Sequence, residues 1–176
     1  KRSWTPWTPK HSATLSLVAK LLSQGEQVVI GSPFTHFNET IHRFLVEAGV
    51  PSLLLDGQTS PAKRGLLVNQ FKNKVTPVIV AGVKAMGEGY SLECCSHLIL
   101  PSPSWAYDEN DQFIDRVWRL NSKKPVTIYP IITECTIDEL MHSSYADKKD
   151  SAQLALDAKV LPDQVEDINP EILLAD

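Results

Sequence analysis

The sequence predicts an α/β domain: three layers built on a mainly parallel sheet of about five or six strands, with helices on both faces. Three observations carry that prediction. Short β-branched runs alternate with segments of helical period, and the connections between them are short. The chain has 176 residues, 43% of them apolar and 22% charged, enough to close one compact core but hardly two.

The elements follow in order. The opening KRSWTPWTPK alternates proline with tryptophan and is expected to form an extended linker over residues 1–11. Ser12 suits the cap of a first helix, with Leu15, Val18, Ala19 and Leu22 at the 3.6-residue period and Gly25 past its end. Gln27–Gly31 reads as a buried strand. Thr35 or Asn38 opens a second helix through Ile41, Phe44, Leu45 and Ala48, and Gly49-Val50-Pro51 stops it. Ser52–Leu55 is the second strand. Ser60-Pro61 starts a helix through Leu67 and Phe71, with proline at the first helical position. Pro77–Ala81 and His97–Leu100 are further strands, then come a helix from about Ala106 to Leu120 and the strand Val126–Ile132. Thr136, with Glu139 three residues on, forms a capping box for a last helix through Leu140, Met141 and Ser144. The main domain is thus expected over residues 12–145. Residues 146–176 form a helical, acidic extension, with Leu173-Leu174 as its apolar anchor.

Composition narrows the function. Apolar runs reach about five residues, far short of the about 20 that a membrane span needs. No basic-then-apolar leader is seen, so an intracellular, reducing compartment is expected: cytoplasmic for a bacterial or viral protein, nuclear for a eukaryotic one. Lys1 in place of Met suggests a piece of a longer chain. The net charge of −4 excludes a globally basic nucleic-acid binder but not a local basic patch. The three cysteines, Cys94, Cys95 and Cys135, lack CxxC spacing, so neither a disulfide framework nor a metal site is expected. Cys94 and Cys95 read as buried thiols. His11, His36, His42 and His142 show no ligand or catalytic spacing.

In parallel sheets ligands sit beyond the carboxyl ends of the strands. The loops to watch are therefore Ser32–Thr35, Asp56–Ser60, Gly82–Gly89, Pro101–Trp105 and Thr133–Thr136. In DQFIDRVWRL, Gln112, Asp115, Arg116 and Arg119 share one helical face, while Phe113, Val117 and Leu120 suit a neighbouring face that anchors on the sheet. Two guanidiniums one turn apart can grip a polyphosphate, and the same four residues also suit a solvated face with an Asp115–Arg119 ion pair. In GVKAMGEGYSL, Gly87 and Gly89 let a backbone approach a phosphate or form a plain turn; no Gly-Lys-Ser/Thr occurs anywhere, so this is not a Walker A loop. In SPFT, Ser32 and Thr35 can meet a backbone phosphate or simply cap a helix. Asp108, Glu109 and Asp111 are explained by the positive end of the helix they open.

Taken in order, these segments resemble the second, RecA-like lobe of superfamily-two helicases, most closely the Swi/Snf-type DNA-dependent ATPases. QVVIGSPFTHFNETIHRFL is similar to the family's fourth motif. LLLDGQTSPAKRGLLVNQF carries its glycine turn, arginine and phenylalanine at Gly57, Arg64 and Phe71. VIVAGVKAMGEGYSLECCSHLIL resembles the fifth motif at Lys84, Ala85, Gly87, Gly89 and Leu92. Trp105 precedes a sixth motif of Gln112, Arg116 and Arg119, and TIDEL resembles the start of the following helix. The chain departs from the family at Leu120-Asn121-Ser122, where Ile-Gly-Gln is usual, and at Ala106-Tyr107, where Asn-Pro is usual.

The resemblance implies that Arg116 and Arg119 are arginine fingers, catalytic towards ATP and Mg2+ held mainly by an N-terminal lobe in cis. It implies that Gly87, Glu88, Gly89 and Gln112 line the nucleotide, and that Ser32, Thr35, Gly57 and Lys84 touch the nucleic-acid backbone, duplex DNA foremost. The chain alone is expected to be monomeric and inactive. Two other functions stay open: a RecA-like lobe without catalysis that binds protein or nucleic acid, and an RNA-directed helicase.

Overall fold

The computed structural model describes residues 7–86, 91–102, 104, 107–117 and 125–143. Among them, the strands β1 (Val28–Ser32), β2 (Ser52–Leu55), β3 (Val78–Gly82), β4 (His97–Leu100) and β5 (Thr127–Pro130) form one sheet in the order β2-β3-β1-β4-β5. All four pairings are parallel. The helices are α1 (Pro9–Ser23), α2 (Thr35–Glu47), α3 (Pro61–Lys72) and α4 (Tyr107–Val117), with one 3₁₀ turn at Lys84–Met86. Residues 137–143 are also helical. The expected extension, 146–176, lies outside the described residues.

The three layers follow from the period-two alternation of the buried strands. Val29 of β1, Leu55 of β2, Ile79 of β3 and Leu98 of β4 point to one face, where they pack with Val68 and Phe71 of α3 and with Phe113 and Val117 of α4. Val28 and Ile30, Val78 and Val80, and Ile99 point the other way, onto Val18 and Leu21 of α1 and Ile41 and Leu45 of α2. Every residue of β1 is buried, which is why it reads as a continuous apolar run rather than an alternating one.

Several boundaries differ from expectation for identifiable reasons. The first helix starts at Pro9 rather than Ser12. Thr8 is its cap, Pro9 occupies the first turn, and His11 Nδ1 accepts from Thr8 N–H at 3.0 Å. His11 is buried, stacked on Trp7 at 5.5 Å and tilted against Phe37 at 4.3 Å between ring centres. β3 begins at Val78 because Pro77 has no N–H to place in the ladder, whereas β5 tolerates Pro130 because it is an edge strand whose bonds to β4 come from Thr127 and Ile131 N–H. The helical residues 137–143 follow Thr136, but its Oγ1 accepts from Asp138 N–H at 3.2 Å while Glu139 N–H goes to the Thr136 carbonyl at 3.3 Å. The carboxylate engaged at this turn is that of Asp138, which accepts from Thr133 N–H at 3.0 Å. Asp138 is drawn inward by Lys10, whose Nζ lies 2.6 Å from its Oδ2. Of the cysteine pair only Cys95 is buried; Cys94 is exposed. Burial pushes the Cys95 thiol up to about 12, and its Sγ donates to the Gln27 carbonyl at 3.1 Å.

One contact fixes α4. The Phe113 ring lies so close to Gly31 that a Cβ on that glycine would overlap Cε1 and Cζ. Phe113 is 1% exposed and has nowhere to retreat within the close-packed layer. Gly31→Ala is therefore expected to destabilise the chain by about 1–3 kcal/mol through overpacking, seen as a lower urea midpoint at unchanged slope. An unchanged midpoint would mean that α4 sits less tightly on β1 than the packing indicates.

Candidate functional site

The parallel register aligns the carboxyl ends of the three strands β2, β3 and β1: Leu55 pairs with Ala81 and Ser32 with Gly82. The loops that leave these ends therefore lie side by side, which is where a ligand meets a parallel sheet.

Ser32, the last residue of β1, is fully buried. Its hydroxyl accepts from Phe34 N–H at 3.2 Å, and its carbonyl accepts from the Asn38 side-chain amide at 2.9 Å and from Val83 N–H at 3.3 Å. Expected on the binding surface, Ser32 instead lies beneath it, because its polar atoms are consumed in turning the chain from β1 into α2. The residues it presents are Phe34, 56% exposed at the helix cap, and Thr35, the first and exposed residue of α2.

Gly57 is exposed in the turn after β2. Asp56 ties that turn by accepting from Gln58 N–H at 3.0 Å and from the Thr59 hydroxyl at 2.7 Å; the Thr59 hydroxyl holds its carboxyl below the usual range. Arg64, one turn into α3, donates to the Thr59 carbonyl at 3.0 Å, so it supports the loop from behind.

Lys84 follows β3 on the 3₁₀ turn, and its exposed ammonium lies 3.0 Å from Glu109 Oε1 in the first turn of α4. The second Glu109 oxygen accepts from the Ser104 hydroxyl at 2.7 Å. Ser104 is held in turn by Asn110: its N–H donates to Asn110 Oδ1 at 2.8 Å, and its carbonyl accepts from Asn110 Nδ2 at 2.7 Å. The Ser104 hydroxyl first, and the Lys84 ammonium second, hold the Glu109 carboxyl below its usual range. Among the expected site residues, Thr35, Gly57 and Lys84 thus come together at adjacent strand ends.

Along α4, Gln112 and Asp115 are exposed, Arg116 is half-buried, and Phe113 and Val117 are buried, so the expected division into a polar and an anchoring face holds over the described turns. The Arg116 carbonyl accepts from Leu92 N–H at 2.6 Å, joining the end of α4 to the chain that returns towards β4. Gly87, Glu88, Gly89, Arg119 and Leu120 lie outside the described residues. Among the described residues no group of three or more His, Cys, Asp or Glu could hold a metal ion, and no helix is long and apolar enough to cross a membrane.

On the sequence, the helix dipole accounts for Glu109 and Ser104 lies in a candidate loop, Pro101–Trp105, but nothing there singles out Asn110. The spacing of Ser104 from Asn110 carries no recognised signature, since a buried asparagine serving a loop looks like any polar residue on a helix. Asn110 is 1% exposed. Asn110→Leu is expected to leave both Ser104 backbone groups without their partner and to cost about 1–3 kcal/mol in denaturant unfolding. A loss below about 0.5 kcal/mol would show that the loop holds without this pair.

Comparison with known proteins agrees with the geometry. The helicase conserved C-terminal domain family matches residues 11–121. The chain is 32% identical over 145 residues to the DNA repair protein rad8 of Schizosaccharomyces pombe, covering 78% of this chain and 13% of that protein. It is 30% identical over 158 residues to the ATP-dependent helicase FUN30 of Saccharomyces cerevisiae, covering 84% of this chain and 14% of that one. With the human DNA repair and recombination protein RAD54B the identity is 31% over 151 residues, 81% of this chain and 17% of the other. Each relative is thus several times longer than the aligned stretch. The crystal structure of the C-terminal part of the FUN30 ATPase domain superimposes with a TM-score of 0.71 at 29% identity, covering 77% of this chain and 44% of that one. Sheet architecture and relatives agree, and the chain belongs to the helicase C-terminal domain family as a RecA-like lobe of Swi/Snf type.

Proposed function

We propose that this chain is the second motor lobe of an ATP-dependent translocase on duplex DNA, completed by an N-terminal lobe of the same protein. The observation that supports it most is the double attachment of α4. Phe113 seats the helix on Gly31, while its first turn reaches Lys84 through Glu109. Gln112 and Arg116 on α4, seated by Phe113 on β1, and Lys84, which follows the neighbouring paired strand β3, therefore stand on one sheet. A motor needs such a support, because closure on ATP must move the grip on the track.

In this reading ATP is the substrate, held mainly by the first lobe. Arg116 and Arg119 approach its transferred phosphoryl group, and Gln112 with Gly87, Glu88 and Gly89 borders the nucleotide from this side. Arg116 suits that position because it stands on a helix seated by Phe113 and Val117, and its guanidinium is always charged. Mg2+, bound with the ATP, supplies neutralisation of the phosphate charge. An arginine finger typically contributes about 10³–10⁵ in rate, or roughly 4–7 kcal/mol of barrier. Thr35, Gly57 and Lys84 grip successive phosphates by hydroxyl, backbone and ammonium, with Ser32 holding the turn beneath them. Such contacts carry no base readout, as movement along any sequence requires. The names of the relatives, DNA repair proteins and an ATP-dependent helicase, favour DNA as the track.

The test is ATP hydrolysis by the two-lobe parent protein with and without duplex DNA. Stimulation by duplex that falls at least about 10³-fold in Arg116→Ala or Arg119→Ala is expected, with no turnover by the 176-residue chain alone. Turnover by the chain alone, or stimulation by RNA and not by DNA, would contradict the proposal.

A further inference from the structure

Lys84 is the cation that the proposed reading sends to a nucleic-acid phosphate, yet it already has an anionic partner. We propose that Glu109 is a built-in competitor for that phosphate, so that nucleic acid binds by exchanging a carboxylate for a phosphate at one ammonium. The inference rests on the reading of Lys84 as a backbone contact and goes beyond it by assigning the residue that tunes it.

Geometry separates this pair from an ordinary surface ion pair. Exposed pairs are weak largely because two long side chains must be ordered together. Here the Lys84 side chain is 76% exposed and free to swing outward, while that of Glu109 is only 28% exposed. The carboxylate is pinned by the Ser104 hydroxyl at 2.7 Å, and Ser104 is pinned by the buried Asn110. Only Lys84 pays an ordering cost when the pair forms. When Lys84 turns to a phosphate, Glu109 does not follow, and the ion pair between them is lost. The exchange therefore lowers affinity for the backbone below what Lys84 alone would give.

The position of Glu109 on α4 adds a consequence. Glu109, Gln112 and Arg116 stand at i, i+3 and i+7, so they lie along one side of the helix. The exchange thus changes the charge at the start of the same helical side that carries the nucleotide-facing residues. Asp108, one position earlier and exposed, brings the same formal charge to the same first turn and serves as the control.

The experiment is fluorescence anisotropy of a labelled duplex of about 20 base pairs at about 50 mM salt, where phosphate contacts dominate binding. The chain is compared with Glu109→Gln, Lys84→Gln, the double variant and Asp108→Asn. Glutamine keeps an acceptor for Ser104, and thermal melting checks that each variant is folded. Glu109→Gln is expected to tighten binding about three- to tenfold, Asp108→Asn less than about twofold. In the Lys84→Gln background the gain from Glu109→Gln should fall below about twofold. Ser104→Ala, which keeps the charge but unpins it, should give an intermediate gain and covers the case in which Glu109→Gln does not fold.

Equal gains with and without Lys84, or an equal gain from Asp108→Asn, would reduce Glu109 to one diffuse charge among several and overturn the proposal. So would no gain from Glu109→Gln while Lys84→Gln weakens binding, an outcome that leaves the nucleic-acid face standing. Binding that Lys84→Gln does not alter would remove the role given to Lys84 and the competitor with it. No binding by any variant would remove the nucleic-acid face itself.

Discussion

The seating of Phe113 on Gly31 is the contact on which the rest of the site depends. A parallel sheet buried on both faces gives its strand ends a common register, but it does not by itself bring a helix to bear on them. Here the missing Cβ of Gly31 lets an aromatic ring rest directly on the central strand, and α4 comes down with it. Three polar contacts are then set by that helix: Glu109 reaches Lys84 from its first turn, Asn110 holds the loop before it, and the Arg116 carbonyl receives Leu92 N–H. Van der Waals packing supplies the position, and hydrogen bonds and one ion pair distribute it.

The polar network has a consistent logic. Buried groups are spent on shape: Ser32 and Asn38 turn β1 into α2, and Asn110 fixes Ser104. Thr35, Gly57, Lys84 and Gln112, by contrast, all face solvent. A buried hydroxyl with its partners in place gains nothing from a passing phosphate and would lose its own bonds by turning to one. That distinction separates Ser32 from Thr35, although the sequence motif offers them as a pair.

Most of the architecture was legible because its signals are local. The apolar runs of β1 to β4, Pro61 behind Ser60, and the helical spacing of Phe113 and Val117 each report a burial that the strand or helix period enforces. The fold class and the family resemblance followed from their order. What was not legible depends on contacts distant in sequence. The start of α1 at Pro9 relies on a histidine in place of the usual acidic box residue, and that histidine is sheltered by Trp7 and Phe37. Asp138, not Glu139, is the carboxylate engaged at the last described helix: it accepts from Thr133 N–H and pairs with Lys10, 128 positions earlier. The burial of Ser32, the exposure of Cys94 and the pinning of Glu109 are likewise products of the assembled layers. A helix-dipole explanation for Glu109 was sufficient on the sequence, and only the three-dimensional neighbours Lys84 and Ser104 add another.

The central claim is that ligands meet this lobe at the carboxyl edge of its sheet, across the ends of β2, β3 and β1. The most direct measurement is amide chemical-shift mapping of the chain on addition of a short DNA duplex. Shifts should concentrate at residues 34–35, 57–60 and 84–86, which follow those strands, and be absent from 26–27, 50 and 76, which precede them. Shifts confined to the amino edge, with the carboxyl edge silent, would contradict it.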